Sequence, residues 1–227
     1  MDGADMTAGP VAPLEIEIWS DVVCPWCAIG KHRFESALAA LGDDVELTVT
    51  YRAYQLDPTA SPGRSEPVID AYARKFGGPD KARAIIDHVS GVAAADGIHF
   101  DMDRAVRANT LLAHRLIWRA GLPESSVAQA VVKAALLEAY FSEGRDIGDP
   151  DHLADILAPL GLDPGETLAF LDGDRGRAEV AEEMARAAEL GISAVPTYVI
   201  GGRWSIPGAQ DAETFERVLR RLAERPA

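Results

Sequence analysis

Leu14-Glu15-Ile16-Glu17-Ile18-Trp19-Ser20-Asp21-Val22-Val23-Cys24-Pro25-Trp26-Cys27 is the stretch on which the fold turns. From Leu14 to Trp19 apolar and acidic side chains alternate, the period-two pattern of a half-buried strand. The chain turns at Ser20-Asp21, and the two cysteines follow. Arg33 to Leu41 continues as an amphipathic helix closed by Gly42, a residue suited to the helix C-cap. Cys24 then falls near the N-cap and Cys27 near the third helical position. Alternation resumes at Val45, Leu47, Val49 and Tyr51, which predicts a second strand over 45–54. Strand, crossover helix and strand imply a parallel pair with a right-handed connection.

Cys24 and Cys27 are the only cysteines in 227 residues. A bridge between residues three apart closes almost no loop and would stabilise little. A zinc site would need two further ligands, and His32, His88, His99, His114 and His152 are scattered, so no metal is expected. Redox chemistry explains the spacing better. A dithiol needs one exposed, easily ionised sulfur and a second within reach to resolve the mixed disulfide. Unpaired amides and the positive end of the helix dipole favour a thiolate at Cys24. Pro25 presets the helical dihedral at a position whose N–H would go unused. Trp26 is uncharged and cannot stabilise a thiolate as a cationic residue would. A moderate reduction potential of roughly −170 to −250 mV is therefore expected. Lys31, one turn after Cys27, is a candidate to favour sulfur ionisation. Asp21 is a candidate proton relay or helix cap, though either charge also suits a solvated surface.

The rest of the chain frames this motif. Between about residues 65 and 190, helical stretches are expected at 66–76, 80–95, 103–120, 124–142, 150–160 and 175–190. Gly77-Gly78-Pro79, Gly121-Leu122-Pro123 and the segment Gly161 to Gly165 punctuate them. Thr197 to Ile200, Gly201-Gly202 and Arg203 to Ile206 read as a tight hairpin. Asp211 to Ala223 closes the chain as a helix, with Phe215, Val218, Leu219 and Leu222 at helical spacing. The fold class is α/β: βαβ, a helical insertion over 65–190, then ββα, with the strand-bearing parts at 14–64 and 191–227. Residues 1–13 read as a disordered tail without the basic and apolar regions of an export signal, so a cytoplasmic location is expected. The net charge of −14 argues against nonspecific nucleic-acid binding. No apolar run reaches membrane-spanning length.

Ala194-Val195-Pro196-Thr197 opens the hairpin, where a proline is tolerated and a cis bond would serve a tight turn. Asp21 through Cys27, Val195-Pro196-Thr197 and Gly201-Gly202 together resemble the DsbA-like oxidoreductases. More narrowly they resemble the FrnE-type branch, related to 2-hydroxychromene-2-carboxylate isomerases and kappa-class glutathione transferases. Asn109-Thr110, Ala113-His114-Arg115-Leu116, Tyr140-Phe141 and Glu143 to Ile147 match that branch as well. The resemblance runs from about residue 14 to the end.

It implies a thioredoxin fold with an inserted helical domain, Cys24 as nucleophile and Cys27 as resolving thiol. It implies a cis-proline loop facing the dithiol, where Val195 and Pro196, with Pro25 and Trp26, would hold an extended substrate. Asn109, His114 and Arg145 are expected to be structural. Ala28 stands where many relatives carry an aromatic residue. The further cysteine pair of some relatives is missing, which excludes an internal shuttle. The leading function is disulfide exchange on a protein or small-molecule disulfide, with no cofactor required. The alternative is a glutathione-dependent isomerase or transferase acting on a small aromatic substrate; that branch typically has a hydroxyl in place of the first cysteine. A redox sensor is a third class, and relatives occur in polyketide biosynthesis. A homodimer and glutathione binding stay open.

Overall fold

The computed structural model describes residues 13–224, so the tail expected over 1–13 lies outside the described residues except for Pro13. Strand β1 (Leu14–Ser20) enters helix α1 (Pro25–Leu41), and β2 (Leu47–Ala53) returns parallel to β1 with Leu14 opposite Leu47. Nine short elements follow: β3 (Glu66–Pro67), α2 (Val68–Phe76), α3 (Pro79–Ala95), β4 (Val106–Arg107), α4 (Leu111–Ala120), α5 (Gln129–Phe141), α6 (Pro150–Leu157), α7 (Pro164–Asp172) and α8 (Arg177–Glu189). The chain ends in β5 (Thr197–Ile200), β6 (Trp204–Pro207) and α9 (Ala212–Ala223). The main sheet has the order β2-β1-β5-β6, with β5 antiparallel to β1 and to β6. Gly201 and Gly202 both take positive φ in the hairpin turn, which L side chains resist.

The middle of the chain differs from its sequence reading in three places. Residues 103–110 are not helical: Val106–Arg107 pairs with Glu66–Pro67 as a two-stranded ribbon, and Arg107 binds Asp57 and Glu66. The helix starts only at Leu111, whose N–H is accepted by the Asn109 side chain at 2.9 Å. Residues 124–128 form a turn before α5, in which the Ser125 hydroxyl donates to the Val127 carbonyl. Helix α7 was hidden by Gly165. Its start nonetheless follows rule, with Pro164 in the first turn and the Asp163 side chain accepting from Glu166 N.

Four contacts seat the helices on the sheet and on one another. Phe34 of α1, Tyr198 of β5 and Phe215 of α9 pack ring to ring, with centroids 4.7–5.4 Å apart. Removing one such buried ring typically costs about 3–5 kcal/mol. On the free edge of β2, the Gln129 amide accepts from Tyr51 N at 2.7 Å and donates to Tyr51 O at 3.0 Å, mimicking a neighbouring strand. Glu183 of α8 accepts from Ala53 N at 2.8 Å on the same edge. Arg115 of α4, fully buried, donates to the carbonyls of Phe170, Leu171 and Arg175 and ties α4 to the end of α7. Among the described residues no helix is long and apolar enough to cross a membrane.

Candidate active site

Cys24 is the N-cap of α1 in an extended conformation (φ −90°, ψ 112°), and Pro25 occupies the first turn. No side chain caps this helix. Cys27 N donates to Cys24 O at 2.9 Å, which winds the second cysteine back over the first. Both are free thiols. Cys24 Sγ lies 3.6 Å from the carbonyl oxygen of Val195, and the Val195–Pro196 bond is cis. The dithiol therefore sits between a helix tip and a proline loop brought from 171 residues away.

One expectation needs correction. Neither cysteine is exposed: Cys24 shows 3% and Cys27 2% of its surface. Packing is the reason. They cluster with Trp19, Val195 and Val199, and Tyr54 and Ile192 lie against the group. Burial, and then the Cys24 charge, push the hydroxyl of Tyr72 on α2 up to about 12. Tyr72 in turn meets Phe76 edge-on at 5.3 Å. Only Trp26 stands out into solvent at 38%, its ring 6.2 Å from His88 of α3.

Burial raises the Cys27 thiol well above its ordinary range, and the hydrogen bond and charge of Cys24 push the same way. Lys133 and the Asp21 backbone amide oppose the rise. Asp21 itself is wholly buried and does not cap α1. Its carboxylate accepts from Val22 N at 2.8 Å and Leu56 N at 2.8 Å, and pairs with His114 Nε2 at 3.0 Å. Burial pushes that carboxyl upward, but the His114 contact, Leu56 N and Lys133 outweigh it and leave it below the usual range. Lys31 is buried too, and its ammonium is taken by Glu35 one turn on. Gly30 permits the tight seat of α1, because a Cβ there would stand 2.9 Å from Pro196 Cγ.

Cys24, Cys27, Pro25, Trp26, Val195, Pro196 and Asp21 are thus brought together, while Lys31 turns toward Glu35. Asn109 supports the Ala60 carbonyl, and Arg145 pairs with Asp155. Lys133 and Tyr72 escape the sequence reading. Lys133 had a signal: it sits in the apolar stripe with Leu136, Leu137 and Tyr140, where a surface lysine does not belong. Tyr72 had none, since its partner lies in another element. Among the described residues no group of His, Cys, Asp or Glu could hold a metal ion. A cavity of about 680 Å³ lies between the Pro62-Gly63 loop and α4, α6 and α7, and none of its lining residues belongs to the cysteine cluster.

A strand, a helix tipped by two cysteines, and a proline loop facing the first of them define a thioredoxin-fold protein of the dithiol class. A family model for the DSBA-like thioredoxin domain matches residues 15–220, and the chain belongs to that family. It is 29% identical over 226 residues to the uncharacterized protein YwbO of Bacillus subtilis (strain 168), covering 91% of this chain and 96% of that one. The crystal structure of a probable DsbA oxidoreductase, SCO1869 of Streptomyces coelicolor, superposes with a TM-score of 0.85 at 31% identity, over 94% and 92% of the two chains. The cytosolic disulfide reductase DsbM of Pseudomonas aeruginosa, solved with GSH, shares the fold at 18% identity (TM-score 0.66, 93% and 100% covered).

Proposed function

We propose that this chain catalyses thiol–disulfide exchange, with Cys24 as nucleophile and Cys27 as resolving thiol. The observation that carries the proposal is Cys24 at the uncapped tip of α1, against Cys27 on one side and the Val195 carbonyl on the other. The Cys24 thiolate attacks one sulfur of a substrate disulfide and the other sulfur leaves as a thiolate. Cys27 then attacks Cys24, closes the internal disulfide and releases the second substrate thiol. A reductant acting on that disulfide restores the dithiol, and the same steps in reverse oxidise a substrate.

The backbone of Val195 offers an extended substrate strand-like hydrogen bonds beside the reacting sulfur. Two thiols, rather than a single hydroxyl or thiol, favour redox turnover over isomerisation. The motif residues around the pair and the proline loop support a place in the FrnE-type branch. The substrates are disulfide-containing proteins or small disulfides.

Two measurements test this. Reduction of insulin by the wild type should turn over many times, and Cys24→Ser should abolish it. Cys27→Ser should accumulate covalent adducts through Cys24, identifiable by mass spectrometry. Loss of neither activity nor adducts in Cys24→Ser would refute the assignment.

A further inference from the structure

The cavity of about 680 Å³ beside the Pro62-Gly63 loop has the size of a small-molecule site, which commonly spans about 300–1,000 Å³. The exchange chemistry makes no use of it. Leu111 and Leu112 open α4, Pro150 opens α6, and Leu168 and Leu171 come from α7; with Pro62 they give the cavity an apolar wall. Contacts made behind the wall hold it in place. Arg115 of α4 donates to the Leu171 carbonyl at 2.9 Å, which fixes α4 against α7. Asp146 accepts from Gly148 N at 2.9 Å and Asp149 accepts from Asp151 N at 2.8 Å, which fix the turn into α6.

Four polar side chains complete the lining: Asn109, Asp151, Asp172 and Arg177. Asn109 is already committed, because its amide nitrogen donates to the Ala60 carbonyl at 2.7 Å and its oxygen accepts from Leu111 N at 2.9 Å. Arg177 Nε is paired at 2.8 Å with Asp174, a carboxylate outside the lining. Asp151 and Asp172 are exposed, and neither carboxylate has a hydrogen-bond or ion-pair partner among the described residues. The side chains left unpaired around this apolar wall are therefore two anions.

We infer that this cavity is a second ligand site, separate from the dithiol, that takes an organic amine carrying an apolar ring or chain. The apolar body lies against the four leucines, and the ammonium group is drawn to Asp151 and Asp172. A carboxylate or phosphate ligand would face two unpaired anions and a guanidinium already neutralised by Asp174. An uncharged ligand of the same shape would bury the same apolar surface and gain nothing from either carboxylate. The net charge of −14 attracts a ligand of the same positive sign from solution.

The test uses the full chain in its reduced form and three probes of one shape: phenylbutylamine, phenylbutanol and phenylbutanoate. Amide chemical shifts of the labelled protein locate each probe, and their titration gives its dissociation constant. The amine should saturate, move the amides of Gly63, Leu112, Gly148 and Leu168, and bind about tenfold more tightly than the alcohol, as two partly exposed ion pairs allow. The carboxylate should bind more weakly than either. Asp151→Asn combined with Asp172→Asn should erase the preference for the amine and leave alcohol binding within about twofold of the wild type. Leu168→Trp fills the space beside the apolar wall and should weaken all three probes about tenfold or more. Failure of the amine to bind, equal binding of amine and alcohol, or preference for the carboxylate overturns the proposal. So do shifts that never saturate, shifts centred on Cys24 and the Val195 loop, a preference that survives the double substitution, or unchanged binding in Leu168→Trp. Should a variant not fold, the ranking of the three probes on the wild type and the map of their shifts decide.

Discussion

Gly30→Ala is a one-methyl probe of the seam between α1 and the proline loop. The new Cβ would stand 2.8 Å from Tyr198 Oη, 2.9 Å from Pro196 Cγ and 3.3 Å from the Ala209 methyl. Comfortable heavy-atom contact begins near about 3.5 Å, so helix and loop must part by roughly 0.6 Å. Tyr198 cannot swing away, being wedged between Phe34 and Phe215 with centroids at 5.1 and 4.7 Å. Overpacking of this kind costs about 1–3 kcal/mol, and the better helix propensity of alanine returns about 1 kcal/mol. Net destabilisation of about 0–2 kcal/mol follows from these two. Reactivity should suffer more than stability. Displacing Pro196 displaces Val195, whose carbonyl is 3.6 Å from Cys24 Sγ, and misplacement on this scale costs roughly ten- to a hundredfold in rate. Urea titration and insulin reduction on the same preparation measure both. Full exchange activity in a variant with an unchanged or raised urea midpoint would refute the close seating of α1.

The buried carboxylate and the dithiol give the remaining predictions. Asp21→Asn removes the buried anion that accepts from Val22 N and Leu56 N and meets His114 Nε2, and breaking such a buried cluster should cost about 3–5 kcal/mol in urea. A loss under about 1 kcal/mol would show that Asp21 contributes little net charge pairing. Because folding lowers the Asp21 carboxyl, its contribution is fully present above the unfolded value of about 3.9. It is lost as pH falls through the lower folded value, and acid titration of Asp21→Asn should lack that component. The potential of the cysteine pair, set against glutathione buffers, should fall at roughly −170 to −250 mV, and a value near about −120 mV would sink the argument from the uncharged Trp26.

The strands and α1 were legible because their signals are local. Leu14 to Trp19 carries period-two alternation, and Cys24-Pro25-Trp26-Cys27 carries its own helix start. Segment 103–110 misled because its apolar spacing suits a helix, while Arg107 finds its partners at Asp57 and Glu66, some 50 and 41 residues away. Burial of Cys24 was equally unreadable. It depends on Val195, Val199 and Ile192, which lie some 170 residues further along the chain. His114 looked like an ordinary packing histidine, and nothing near it in sequence announces Asp21, 93 residues earlier.

One face of α5 joins the middle helices to the turn before the dithiol, beside the His114 contact from α4 and the Ala187 contact from α8. Gln129 and Lys133 are four residues apart and therefore lie one above the other on the same side of the helix. Gln129 grips both polar groups of Tyr51 on the β2 edge, a pairing that leaves α5 little freedom to slide or roll. With the helix held there, Lys133 is carried to the Ser20 carbonyl at the end of β1, directly before the turn that leads to Cys24. An edge strand left open would expose unpaired amides, and a loosely docked helix would leave the buried amine without a fixed place. The same contact removes both difficulties. The helices between β2 and β5 are thus more than a cover over a thioredoxin sheet, because one of them carries the buried Lys133 to the end of β1 and is locked in register by the sheet itself.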